Sequence, residues 1–189
     1  DEASAQNEIL ARAGEILGRT IPIWQWAEYD EAVEIFVVER ITDIAWEHYS
    51  ASRWDALRVL LGPFHQMVDS LESRIRSDAS RFAYAAPCAQ MLVFRSELES
   101  TLPRQIEVAE RVLLLHPTHR NGRLVMASYL CDSATRALEK TPVFVRASDL
   151  AAAEAQIERA EKLYPTSKKI EPAKQKLAEA KRRIAVPFG

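Results

Sequence analysis

Apolar residues recur at intervals of three and four along most of this chain, and a strict alternation of apolar and polar residues is nowhere sustained. Intervals of three and four place side chains on one face of an α-helix, whereas alternation is the pattern of a half-buried strand. Only five glycines occur among the 189 residues, which disfavours a sheet built on many tight turns. The pattern therefore predicts an all-α chain whose helices bury their apolar faces against one another.

About eight helices are predicted from the periodic segments and from the capping and breaking residues between them. Short connections make successive helices antiparallel, so the helices are expected to stack as αα-hairpins. The predicted helices cover approximately residues 3–17, 30–49, 52–76, 77–98, 103–116, 121–139, 149–163 and 170–184. An apolar loop is expected over residues 141–146, between the sixth helix and the seventh.

Several residues predict local irregularities in these helices. Gly62-Pro63 should bend or break the third helix, because proline lacks the helical donor and clashes with the preceding turn. A break is also expected near Thr42. Pro87 is either a kink or a first-turn proline of a helix that begins later. Asp30 and Asp149 are predicted N-caps.

Charge is distributed unevenly along the chain. The net charge is only −2, which gives no global attraction to nucleic acid or anionic lipid. Residues 1–50 nevertheless hold eleven acidic and three basic side chains, and residues 162–183 hold two acidic and eight basic ones. An acidic start and a basic end are therefore expected, and the stretch from Lys174 to Arg183 is an alternative contact surface for a partner.

The two cysteines, Cys88 and Cys131, lie 43 positions apart in predicted helices with no other soft ligand beside them. Two buried, reduced thiols are expected, and with them a reducing, cytoplasmic compartment. The longest apolar runs fall far short of the ~20 residues of a membrane-spanning helix. The chain starts at Asp1 without a methionine and shows no signal-peptide pattern, which favours a segment of a longer protein.

Two segments share the spacing of four, three and five between small or apolar residues and a closing proline. The sets are Ala153, Ile157, Ala160, Pro165 and Gln105, Ala109, Val112, Pro117. Both resemble the second helix of a tetratricopeptide repeat (TPR), and residues 26–36 and 49–57 resemble the family's turn into that helix. The two prolines are 48 positions apart, against a family period of about 34. The repeats are therefore degenerate, and a generic α-solenoid is the alternative.

The resemblance implies a right-handed superhelix of stacked hairpins. Within one continuous domain, residues 1–102 would form degenerate hairpins, residues 103–165 the best-matched repeats and residues 166–189 a capping helix. It also implies a protein-binding or scaffold function, with a peptide or partner protein held in a concave groove. Transferred to residues 121–137, the groove residues are Asn121, Leu124, Val125, Ser128 and Asp132, with Arg120 and Arg123 near the rim.

Sequence motifs for catalysis are absent. No GxSxG, P-loop or GxGxxG occurs, and His116 and His119 are the only closely spaced histidines. We therefore expect no enzymatic activity, no metal, no cofactor and no small-molecule substrate. The rival function is a structural or self-oligomerising helical domain, in which the acidic start of one copy meets the basic end of the next.

Aromatic residues are concentrated between positions 24 and 54. The set is Trp24, Trp26, Tyr29, Phe36, Trp46, Tyr49 and Trp54. Packing between helices is the favoured interpretation, and Phe36 and, further along, Phe82 are expected on the buried faces of their helices. Trp24 or Trp26 exposed in a loop would instead anchor a partner.

Overall fold

The computed structural model of the chain describes residues 31–139 and 146–185. Over these residues the protein consists of helices and their connections, without a strand, so the all-α prediction is confirmed there. The predicted helix over residues 3–17, Trp24, Trp26, Tyr29 and the N-cap Asp30 lie outside the described residues, as does the predicted apolar loop apart from Arg146.

The chain divides into two compact units, one ending at Leu98 and the other beginning at Glu99. The α-helices of the first unit are α1 (Glu31–Ser50), α2 (Trp54–Leu61), α3 (His65–Ser77) and α4 (Ala85–Leu98). Short 3-10 helices at Gly62–Phe64 and Ala79–Tyr84 precede α3 and α4. The helices of the second unit are α5 (Leu102–Leu115), α6 (Arg120–Leu138), α7 (Ala147–Leu163) and α8 (Ile170–Ala185).

Helix α1 runs unbroken through Thr42, so the predicted break is wrong. The Thr42 hydroxyl donates a hydrogen bond to the Val38 carbonyl at 2.7 Å, which accommodates the polar side chain inside the helix. The helix ends at Ser50, and two residues later Ser52 has a φ of 55°, in the left-handed region. There the Arg53 amide donates to the His48 carbonyl at 2.9 Å and closes the last turn.

The predicted break at Gly62-Pro63 is confirmed, since a 3-10 turn separates α2 from α3. Pro87 is the third residue of α4, so it is a first-turn proline whose missing donor would have had no helical partner. Asp149 is not an N-cap, because α7 starts at Ala147. Its carboxylate accepts a hydrogen bond from the Arg146 amide at 3.0 Å, and it supports the helix start from the third position.

In the first unit α1 packs on α2 and α4, and α3 packs on α4. The core residues with less than 2% exposure include Ile41, Leu57, Leu61, Leu71, Leu92 and Phe94. Phe36 and Phe82, expected inside, are 52% and 51% exposed. For Phe36 the reason is its register: Val37 and Val38 occupy the inward positions of α1, and one residue earlier the helix surface has turned outward.

In the second unit α6 packs against α5, α7 and α8, and α7 also packs against α8. Lys174 pairs with Glu161 at 2.8 Å and Lys181 with Glu154 at 2.7 Å, so residue numbers rise along α8 as they fall along α7. Helices α7 and α8 are therefore antiparallel. The predicted antiparallel arrangement is confirmed for this hairpin.

Helices α6 and α7 are antiparallel as well. Arg123 donates to the Lys162 carbonyl at 3.2 Å, and Gln156 donates to the Ser133 hydroxyl at the same distance. The start of α6 thus lies beside the end of α7, and the two helices run in opposite directions from there.

Candidate functional site

The start of α6 approaches α5 so closely that only glycine fits. Gly122 is buried, and a Cβ atom placed on it would lie 2.4 Å from Cγ1 of Val112, which is itself fully buried. Real carbon atoms do not approach to that distance, so any side chain at this position would have to separate the helices. The sequence offered no signal beyond a lone glycine in the first turn of a predicted helix.

His119 forms the N-cap of α6. Its Nδ1 accepts a hydrogen bond from the Gly122 amide at 3.1 Å, which satisfies one of the donors left free at a helix start. Burial, with a smaller contribution from the neighbouring His116 ring, lowers the pKa of His119 to about 4. The imidazole is therefore neutral at neutral pH, and Nδ1 is available as an acceptor.

This cap makes the fold sensitive to acid. A folded pKa of about 4 against 6.5 in the unfolded chain means that the unfolded state binds the proton first. The contribution to stability is complete above pH 6.5 and is lost as the pH falls toward 4. The full shift corresponds to about 3 kcal/mol, and the partly exposed ring reduces this to about 1–2 kcal/mol.

Four of the predicted groove residues lie along one side of α6. Asn121, Leu124, Ser128 and Asp132 are all half-buried, and they follow one another at intervals of three, four and four. These intervals bring one side chain per turn to the same side of a helix. We call these four residues the α6 stripe. Val125, also a predicted groove residue, is only 5% exposed and belongs to the core, so its side chain is not presented to a ligand.

Arg120 and Arg123 lie at the beginning of the α6 stripe, and both bind within the chain. Arg123 donates to the Lys162 carbonyl, at the end of α7. Arg120 hydrogen-bonds to the Tyr164 side chain, a contact that lowers the pKa of that phenol. A guanidinium carries five N–H donors, so these bonds position the two arginines and leave donors for a further acceptor.

At the other end of the stripe Asp132 forms an ion pair with Lys169, with 2.5 Å between Oδ2 and Nζ. Lys169 precedes α8, so this pair connects the middle of α6 to the turn between α7 and α8. The Asp132 carboxylate is compensated by the lysine. The α6 stripe consequently has cationic groups near both ends.

Part of the basic end of the chain is compensated by acidic side chains of the same unit. Lys174 and Lys181 pair with Glu161 and Glu154 on α7, and Arg183 lies 3.9 Å from Glu179. Such pairs are partly exposed and contribute little stability singly. They do mean that α8 presents a mixed surface instead of a uniform cationic one.

The small residues at the predicted spacings are buried. Ala109, Ala153 and Ala160 are 0–1% exposed. Arg159 on α7 makes two hydrogen bonds to the Glu110 carboxylate on α5, at 2.6 and 2.8 Å. The three alanines thus occupy buried positions that leave no space for a larger side chain. On the surface, the bidentate ion pair of Arg159 and Glu110 links α7 to α5.

Among residues 31–139 and 146–185, no group of three histidine, cysteine, aspartate or glutamate side chains could hold a metal ion. Cys88 and Cys131 are both buried thiols that form no disulfide, as predicted. Burial is the main cause that raises the pKa of Cys131, with a smaller contribution from Asp132. In the part of the chain that the structure describes, no helix has the length and apolar character needed to cross a bilayer.

Comparison of the chain with protein-family models, with curated proteins and with solved structures finds no match. The tetratricopeptide resemblance stays a prediction from the residue pattern.

Proposed function

We propose that this chain is a non-enzymatic protein-interaction domain that binds a peptide or partner protein along the α6 stripe, as one segment of a larger scaffold. The second unit would supply the groove, and its helices would be arranged as tetratricopeptide-like hairpins in a right-handed superhelix. The buried alanines of α5 and α7 and the antiparallel pairs formed by α6, α7 and α8 support this arrangement.

The observation that carries the proposal is the setting of α6. This helix has three neighbouring helices, yet one line of side chains along it stays half-exposed. The stripe combines an amide, a hydroxyl and a leucine at Asn121, Ser128 and Leu124. Polar groups of this kind can hydrogen-bond to the backbone of a peptide, while the leucine between them can contact an apolar side chain of the peptide.

The test compares two leucine substitutions in a pull-down experiment. Leu124→Arg places a long cation in the α6 stripe, whereas Leu114→Arg makes the same change on α5 at a residue that is 62% exposed. Proteins captured by the parent and by Leu114→Arg, but lost with Leu124→Arg, would support the proposal. Identical capture by all three proteins would refute it. Helical circular dichroism spectra establish that both variants are folded.

The alternative is a self-associating structural domain, and the charge distribution favours it. The first unit carries nine basic and 16 acidic residues, and the second carries 16 basic and 11 acidic ones, so their net charges are −7 and +5. Opposite charges attract between copies, and salt screens the attraction. Light scattering over a range of protein concentrations at low and high salt tests this. Association that salt abolishes would favour the alternative.

A further inference from the structure

Among residues 35–50 of α1, the exposed side chains lie on a single face that is both aromatic and acidic. We call this the α1 outer face; its residues are Phe36, Glu39, Arg40, Asp43, Trp46, Glu47 and Ser50. Phe36 is 52% exposed and Trp46 is 46% exposed. Trp54, which begins α2, is 40% exposed. Core packing, the favoured interpretation of these aromatic residues from the sequence, is therefore wrong for Phe36, while Trp46 and Trp54 are partly exposed and pack against neighbouring rings on one side.

The tryptophans are exposed but firmly supported. Trp46 stacks on Tyr49 with 5.6 Å between ring centroids, and Trp54 meets the same tyrosine edge-on at 5.6 Å. Trp46 and Tyr49 both contact the fully buried Phe94, at 6.0 and 5.4 Å. Rings held in this way lose little conformational freedom when a partner covers them, which is the property of residues that dominate binding energy.

The charge of the face indicates what covers it. The face carries three carboxylates, those of Glu39, Asp43 and Glu47, and one arginine, Arg40. That arginine shows how the surface holds a cation: the Arg40 guanidinium lies 5.3 Å from the Phe36 centroid and 3.3 Å from the Asp43 carboxylate. An aromatic ring and a carboxylate together thus bind a guanidinium on this face, by cation–π attraction and charge pairing.

We propose that the α1 outer face, together with Trp54, is a docking surface for an arginine- or lysine-rich segment of another protein that also carries apolar side chains. The apolar residues of the segment would cover Trp46 and Trp54, and its cations would meet the carboxylates. This surface belongs to the first unit, whereas the α6 stripe belongs to the second.

Other occupants fit the charges less well. Residues 1–30 contain six acidic side chains and two arginines, so like charges would meet if they covered the face. The basic helix α8 of a second copy has the right sign, but three of its five basic side chains, Lys174, Lys181 and Arg183, are already paired with Glu161, Glu154 and Glu179. A free basic segment brings cations that are not already engaged.

The binding experiment uses the full chain and two labelled peptides. One is an amphipathic peptide of leucine and arginine with about 18 residues, long enough to form a helix on a surface. The other has glutamate in place of every arginine. Fluorescence anisotropy should show binding of the first peptide, weakening with salt, and at least about tenfold weaker binding of the second.

Matched variants locate the contact. Glu39→Lys should weaken binding of the arginine peptide about three- to tenfold, whereas Glu158→Lys, the same reversal at another exposed residue on α7, should change the affinity less than about twofold. Trp54→Ala should weaken binding at least about tenfold, and Leu114→Ala should not. The indole N–H resonances of Trp46 and Trp54 should shift on titration of the parent protein, a readout that does not depend on any variant folding.

Three results would overturn the inference. Equal losses of affinity with Glu39→Lys and Glu158→Lys would show that peptide binding depends only on the overall charge of the protein. Loss of binding with Leu124→Arg but not with Trp54→Ala would place the peptide on the α6 stripe, which would favour the proposed function and remove this second surface. Self-association of the parent chain that Glu39→Lys abolishes would identify a second copy as the occupant.

Discussion

Replacing Gly122 with alanine should destabilise the second unit, although alanine is the better helix former. The added Cβ would lie 2.4 Å from Cγ1 of Val112, where ordinary carbon contacts begin at about 3.5 Å. Val112 is fully buried and β-branched, so it has few alternative rotamers with which to withdraw. The helices α5 and α6 must therefore separate by about 1 Å, and their shared packing is lost around that point.

The expected cost follows from two opposing terms. Overpacking a buried site by one methyl group costs about 1–3 kcal/mol. Exchanging glycine for alanine inside a helix returns at most about 1 kcal/mol through backbone entropy. Subtracting the gain from the cost leaves a net destabilisation of up to about 2 kcal/mol, which should lower the melting temperature by about 2–4 °C for each kcal/mol.

Urea denaturation followed by circular dichroism measures the change, with Gly62→Ala as the matched control. A Cβ at Gly62 meets nothing within 4 Å, and the backbone there is already helical at φ −49° and ψ −51°. That variant should change the stability by less than about 1 kcal/mol, because the gain in helix propensity is opposed by the clash of Pro63 with a Cβ on the preceding α-conformation residue. Combining Gly122→Ala with Val112→Ala should cost at least about 1 kcal/mol less than the sum of the single changes, since the clashing methyl is gone. Equal stability of the two glycine variants, or strict additivity in the double variant, would refute the close approach.

Three further results are expected. Ala160→Leu should lower the free energy of unfolding by about 1–3 kcal/mol because Ala160 is fully buried, while Ala155→Leu on the exposed side of α7 should be nearly neutral. Equal melting temperatures of the two variants would contradict close packing at Ala160. The parent protein should lose about 1–2 kcal/mol of unfolding free energy between pH 6.5 and 4. His119→Ser keeps a helix cap but removes the titrating ring, so most of this loss should be absent in the variant. Parallel pH profiles of the two proteins would exclude His119 as the cause. Chelators and reductants should leave the helical spectrum and melting temperature unchanged, since Cys88 and Cys131 form no disulfide and the described residues contain no group of three potential metal ligands. A loss of helicity with either reagent would reveal a stabilising disulfide or metal ion.

Local sequence was sufficient to place most of the helices. Gly62-Pro63 and His116-Pro117 end helices because proline and glycine act on the backbone within a turn of their own position. Burial of Ala109, Ala153 and Ala160 was predictable as well, because residues at those intervals share a helix face whatever that face contacts.

Only part of the candidate site could be predicted from the sequence. The resemblance to a tetratricopeptide repeat implied that Asn121, Leu124, Ser128 and Asp132 face a groove, and the structure shows these four residues half-buried at helical intervals along α6. The resemblance did not show that Val125 points inward, because the inward side of a helix with three neighbours is set by where those neighbours lie.

The tertiary structure alone decided which groups meet. Phe36, Val37 and Val38 are adjacent apolar residues, and only the position of α2 and α4 against α1 leaves the phenylalanine outside. The bond from Arg123 to the end of α7 and the approach of Gly122 to Val112 likewise join residues on different helices. Spacing along a sequence fixes the face of a helix on which a side chain lies, but distances between helices depend on how all their side chains pack together.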